Sequence, residues 1–166
     1  MSLRIIMIEM IVFALFFTMM VFYIALKRKD TIANIHNYPP DIQEEYFKTH
    51  DRVDTSHRSK SVILAKSLGI LIFTVILVIC AKVAEAKTFW EGFIIAFGLM
   101  VWIGIYDTCF LDWVLFANMK IFRLRGTEHM DEAYHQKMFH VKGMIFPGLL
   151  YAILCSMIVG WLITIM

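Results

Sequence analysis

Asp107 and Asp112 stand five residues apart in the stretch Tyr-Asp-Thr-Cys-Phe-Leu-Asp-Trp-Val-Leu-Phe, residues 106–116, which is otherwise apolar. An ionised group at bilayer depth costs a few kcal/mol on insertion scales, so it faces protein or water rather than lipid. With Trp90 taken as an interfacial anchor, Asp107 lies 17 residues further on, roughly 25 Å down a helix, and Asp112 roughly 33 Å down. The first is expected inside the hydrocarbon and the second at its cytosolic edge. At about 100° per residue, Gly104, Asp107, Thr108, Leu111 and Asp112 share one arc, with Trp102, Tyr106, Cys109 and Trp113 opposite. Gly104-x-x-x-Thr108 is a small-xxx-small step of the kind that admits a neighbouring helix, so the acids are expected to point into a bundle. Such a pair suits an ion, a proton or a small polar ligand, with Asp107, Asp112, Lys66, Thr108 and Glu128 as candidate binding residues. A structural role competes with this, because Lys66 falls at a similar depth in another span and would neutralise Asp107 in a packed bundle. Glu9, near the outer edge of the first span, reads as a residue that snorkels to the surface.

A second chemistry is written in the polar segments. Asp54-x-x-His57 and Glu132-x-x-His135 are both carboxylate-x-x-His pairs, a spacing that places two metal ligands on one helix face. Together they would form a site for a divalent transition metal. The same spacing arises in any solvated charged face, which is the plainer account of His50, Asp54 and His57 and of Glu128, Glu132 and His135. His36, His129 and His140 add imidazoles without a defining pattern. No GxGxxG, P-loop, GxSxG, HExxH or histidine-box motif occurs, which argues against the commonest nucleotide-binding, serine-hydrolase and zinc-protease chemistries.

The elements that must position these residues follow from hydropathy. Of the 166 residues, 60% are hydrophobic and 18% charged, and the mean hydropathy of +0.69 is that of a membrane protein. A net charge of +2, without basic clusters interleaved with aromatics, gives no reason to expect a nucleic-acid partner. Cys80, Cys109 and Cys155 are scattered through apolar runs and read as small hydrophobes. Four segments are apolar over roughly the 20 residues a bilayer requires: Ile5 to Leu26, Val62 to Ala81, Phe89 to Met119 and Val141 to Met166. The first is too long for a signal-peptide core and runs into Lys27-Arg28-Lys29 instead of a cleavage site, so it is expected to remain as a span.

Eleven of the sixteen Lys and Arg residues fall in the connecting segments 27–61 and 120–140 and a twelfth, Lys142, at the adjoining end of the last span, against Arg4, Lys82 and Lys87 on the other side. The positive-inside rule therefore predicts cytosolic segments at 27–61 and 120–140 and both termini outside. Pro39-Pro40-Asp41 followed by Glu44-Glu45 predicts a short interfacial helix in the first segment. In the second, Gly126 with Thr127 as N-cap and Glu128 in the first turn predicts a helix restart, and Pro147-Gly148 predicts a kink in the last span.

Three segments, Tyr38-Pro39-Pro40-x-Ile42-Gln43, Asp107-x-x-x-x-Asp112-Trp113 and Gly126-Thr127-Glu128, resemble those of a set of small four-span bacterial membrane proteins. The resemblance covers roughly residues 34 to 145. It implies a location in the bacterial inner membrane and carries over no activity. The expected architecture is a single all-α integral membrane domain, a bundle of four transmembrane helices with a cytosolic interfacial helix. A polar pocket is expected on the cytosolic side, roofed by that helix and the segment after Gly126. The expected function is binding or transport of an ion, a proton or a small polar ligand through that pocket, with a homodimer completing any path. The rivals are a membrane-embedded metal-dependent enzyme acting on a lipid or lipophilic substrate, and a structural subunit of a membrane complex.

Overall fold

In the computed structural model, which describes residues 1–27, 35, 37–51 and 59–166, the regular elements are helices, with no strand among the described residues. Helix α1 is Leu3–Lys27, α2 Pro40–Thr49, α3 Ser59–Val83 and α4 Phe89–Tyr106. A wider π-wound stretch, Asp107–Phe116, continues α4. After a 3-10 turn at Lys120–Phe122 come α5, Asp131–Tyr134, and α6, Lys137–Gly143. A second π-wound stretch, Met144–Leu149, leads into α7, Leu150–Ile165.

Among the described residues, three stretches are long and apolar enough to cross a membrane: Leu3–Leu26, Phe89–Phe116 and Asp131–Ile165. The remaining expected span, 62–81, falls within α3, whose described apolar part is Ser67–Val83.

Sequence chemistry explains the helix boundaries. Pro40 occupies the first turn of α2, where a missing N–H costs nothing, and Asp41 follows it toward the positive end of the helix dipole. Thr88 and Glu91 form a reciprocal capping box that starts α4. The α3–α4 connection is short, and Glu85 takes a left-handed φ of 64° within it. The kink expected at Pro147 is present: Phe146 leaves the helical region at φ −139°, ψ 122°.

Helices α3, α4 and α7 bury Leu77, Ala81, Ile95, Leu99, Val159 and Ile163 against one another. The tightest approach is between Gly92 and Gly160. A Cβ on Gly92 would stand 2.8 Å from Ile163 Cγ1, and one on Gly160 would stand 2.7 Å from the carbonyl oxygen of Phe89. Small residues thus seat α4 on α7, but not at the step expected from the sequence. At Gly104 an added Cβ meets only the Met144 side chain, at 3.4 Å. The helices part there, and the space between them becomes the cavity described below.

Helix α1 packs on α4 through Trp102, whose Nε1 donates to Met10 O at 3.1 Å, and through Thr18 and Tyr106, whose hydroxyls lie 2.8 Å apart. Its N-terminus is tied to the α3–α4 turn by Ser2 N donating to Ala84 O at 2.9 Å. Both chain ends therefore share one end of the bundle with that turn.

The opposite end carries a cap made by the two longer connections. Ile42 and Tyr46 of α2 are buried with Leu124, Ala133 and Tyr134. Tyr38 donates to Phe122 O at 3.0 Å, and Gln136 Nε2 donates to Asp41 Oδ2 at 2.6 Å. Burial, and secondarily the nearby Tyr134 phenol, pushes the Tyr38 phenol well above its ordinary range, so Tyr38 remains a neutral donor. The expected helix restart at Thr127 is displaced to Asp131. Gly126 makes a tight turn at φ 85°, and Thr127 is fully buried, donating to Leu124 O at 3.0 Å and bonded to Tyr134 OH at 2.7 Å instead of capping a helix.

Candidate functional site

Between α1, α4 with its π-wound continuation, and the Met144–Leu149 stretch lies a cavity of about 1100 Å³. Phe17, Met20 and Ile24 of α1 form one side of it, and Met144, Ile145 and Phe146 the other. Its polar wall is made by Asp107, Thr108 and Asp112, joined by His140.

Both acids belong to the π-wound stretch, where the winding departs from the α-helical wheel. In an α-helix, residues five apart lie about 140° apart around the axis, whereas a π-turn closes hydrogen bonds from i to i+5. Here Ala117 N donates to Asp112 O, the five-residue step. Asp107 and Asp112 both line the cavity, with Thr108 and Leu111 buried beside them. The aromatic side, Trp102 and Tyr106, turns toward α1.

Asp112 is engaged across the bundle. Its Oδ2 lies 2.9 Å from His140 Nδ1, with the two side chains 21% and 10% exposed respectively. With Nδ1–H directed at the carboxylate, Nε2 of a neutral imidazole is left as an acceptor. That atom is buried and has no hydrogen-bond partner among the described residues. The ring is enclosed by Phe116, at 5.3 Å between centroids, and Phe139, at 5.2 Å.

The other candidates are dispersed. Lys66 belongs to α3, and its side chain lies outside the described residues. Glu128 is exposed on the turn after Gly126, where its Oε2 accepts from Gly126 N at 2.7 Å, and it does not line the cavity. Glu132 and His135 are exposed at the cap; α5 ends at Tyr134, and His135 turns its Nδ1 onto Asp131 O at 2.7 Å. Asp54 and His57 lie outside the described residues. Among the described residues, no three His, Cys, Asp or Glu side chains come together as a metal site.

Two residues of the site escaped the pattern reading. His140 is separated from Asp112 by 28 positions, so only depth could have linked them: both fall near the end of an expected span. Arg123 also lines the cavity, from the cap; its position in a basic loop gives no hint of burial, yet its side chain is 7% exposed.

Chemically, the wall offers two carboxylates, an oriented imidazole and a threonine at the edge of a largely apolar space. That combination receives a hydrogen-bond donor or cationic group while solvating an apolar body alongside it. No family model matches the chain, and neither a curated protein nor a solved structure does.

Proposed function

We propose that the chain is a four-span protein of the bacterial inner membrane, with both termini outside and the longer loops in the cytosol, that binds an amphipathic molecule in its cytosol-facing cavity. The polar group of that molecule is held by Asp107, Asp112 and His140, and its apolar part lies along Phe17, Met20 and Ile24. The observation that carries this reading is the Asp112–His140 pair on the wall of a largely apolar cavity of about 1100 Å³. A pocket for a bare ion or proton has no need of apolar space on that scale, which exceeds the roughly 300–1,000 Å³ of ordinary small-molecule sites. The apolar walls are what favour an amphiphile over the ion or small polar ligand suggested by the acids alone.

The metal-dependent alternative would require Asp54 and His57 to join Glu132 and His135 at the cap, with Asp107 and Asp112 as further ligands or general base. No observation among the described residues favours it.

The test is native mass spectrometry of the protein released from its own membranes, followed by extraction and identification of what it carries. A defined amphiphile bound near one per chain, and lost in both Asp107→Asn and His140→Gln, supports the reading. A wild-type protein that carries only bulk lipid in bulk proportions contradicts it.

A further inference from the structure

We infer that Arg123 is an oxyanion anchor, so that the molecule in the cavity is an anionic amphiphile carrying a phosphate group. The inference rests on the amphiphile reading above and names the class of headgroup.

Arg123 lies between the Lys120–Phe122 turn and the buried turn that begins at Leu124. One side of its guanidinium is fully committed. Nη2 donates to Ala117 O at 2.7 Å and to Asp131 Oδ1 at 2.9 Å, and Cζ sits 3.8 Å over the Tyr134 ring. These contacts fix the plane of the group. The other terminal nitrogen, Nη1, is buried and has no hydrogen-bond partner among the described residues. A guanidinium has five N–H donors and loses no charge in the physiological range, so Nη1 offers two donors that nothing described accepts. Arg123 also lines the cavity, so an occupant that displaces the side chains covering Nη1 can supply the acceptor.

Charge selects an oxyanion over a neutral carbonyl or hydroxyl. The carboxylate that faces Arg123, Asp131, is 77% exposed, so water screens the pair and the buried cation is only partly balanced. Lys142 adds a second cation to the cavity lining. Hydrogen bonds from guanidinium to phosphate are charge-assisted, about twice as strong as neutral ones, and match the planar fork.

The remaining lining limits the charge on that oxyanion. Asp107 and Asp112 line the same cavity and repel a multiply charged anion, whereas His140, Thr108 and the acids accept hydroxyl donors. Phe17, Met20 and Ile24 leave apolar length for chains. A singly charged phosphodiester headgroup bearing hydroxyls, on an acyl-chain lipid, meets all three conditions, and free phosphate meets the first alone.

The experiment uses the full chain in detergent. Dioctanoyl phosphatidylglycerol, dioctanoylglycerol and inorganic phosphate are titrated in parallel, with bound species counted by native mass spectrometry and thermal unfolding read alongside. Wild type is expected to bind the phosphatidylglycerol at least about tenfold more tightly than the dioctanoylglycerol, and Arg123→Lys to lose most of that preference, since a lysine keeps the charge without the fork. Lys142→Gln is expected to retain part of it. If dioctanoylglycerol binds and the phosphate confers no advantage, or if Arg123→Lys keeps the full preference, the oxyanion assignment is overturned while the amphiphile reading stands. If neither amphiphile binds wild type, both are overturned. Displacement of the lipid by inorganic phosphate at equal concentration would keep the oxyanion site and assign it to free phosphate. Should Arg123→Lys fail to fold, the wild-type comparison of the two amphiphiles decides by itself.

Discussion

Asp112 Oδ2 lies 2.9 Å from His140 Nδ1, linking the π-wound end of α4 to the helix that leads into α7. Truncating either partner strands the other in a mostly buried position, which costs more than the pair contributes as a unit. Asp112→Ala and His140→Ala are each expected to lower unfolding stability by about 1–3 kcal/mol, with the double variant well short of their sum. Denaturant or thermal unfolding of the three variants in one detergent measures the coupling. Strictly additive losses would show that the two side chains do not act as a pair.

The α4–α7 crossing makes a sharper stability prediction, because the controls lie in the same chain. Gly160→Ala drives a Cβ to 2.7 Å from a backbone oxygen of Phe89, an atom that cannot move aside cheaply. Gly98, also in α4, has nothing within 4 Å of its Cβ position. Gly160→Ala is expected to cost about 1–3 kcal/mol, whereas Gly98→Ala is expected to be neutral or to stabilise by up to about 1 kcal/mol through helix propensity. Equal melting temperatures for the two variants would rule out the close crossing.

In the cap, Tyr134 OH accepts from Leu124 N at 3.0 Å and pairs with the buried Thr127 hydroxyl at 2.7 Å, so one oxygen ties two turns together. Tyr134→Phe preserves the ring beneath Arg123 and deletes only that oxygen. The loss is expected at about 1–3 kcal/mol, since the buried Leu124 N–H loses its acceptor and the buried Thr127 hydroxyl, still donating to Leu124 O, loses its second bond. Limited proteolysis should then cut within 120–136 sooner than in wild type. Unchanged cleavage there would mean that the cap is held by apolar packing alone.

Orientation in the membrane has a direct test. With Cys80, Cys109 and Cys155 replaced by Ala, single cysteines at Ser2 and at Thr49 report the two ends of the bundle. The distribution of Lys and Arg predicts that an impermeant maleimide reaches position 2 in intact cells and position 49 only after permeabilisation. Labelling in the reverse order would invert the topology and turn the cavity outward.

What could be read from the sequence divides along the range of the forces involved. The helical class, the α2 start at Pro40, the kink at Pro147 and the inward-facing arc of Gly104, Asp107 and Asp112 follow from local chemistry: a missing N–H, a fixed φ and the cost of a carboxylate in hydrocarbon. The rest depends on partners distant in sequence. Thr127 was expected to cap a helix, and such a role is local; its burial against Tyr134 is tertiary and displaced the restart to Asp131. The close helix contact was expected at Gly104, but small residues only permit an approach, and Ile163 and Phe89 determined that it occurs at Gly92 and Gly160. The π winding had no sequence signal that the α-helical wheel could register, yet it carries both acids. His140 and Arg123 were invisible as site residues because burial and pairing, not residue type, give them their roles.

Gly104 separates cavity function from fold stability most cleanly. Its Cβ position touches only the Met144 side chain, with Cγ at 3.4 Å and Sδ at 3.8 Å, and methionine is flexible enough to yield. Gly104→Leu therefore fills part of the cavity beside Asp107 without pressing on backbone, and it removes a helix-interior glycine that costs about 1 kcal/mol in propensity. The expected result is a melting temperature equal to or above that of wild type, together with loss of the bound amphiphile in native mass spectrometry. Gly98→Ala supplies the propensity gain without the obstruction, so it should keep the ligand. If Gly104→Leu retains full occupancy, the molecule does not lie between Gly104 and Met144, and the cavity is not its seat. If it loses both ligand and stability, α4 and the Met144–Leu149 stretch pack more closely around Gly104 than the 3.4 Å approach allows, and the binding loss would follow from misfolding.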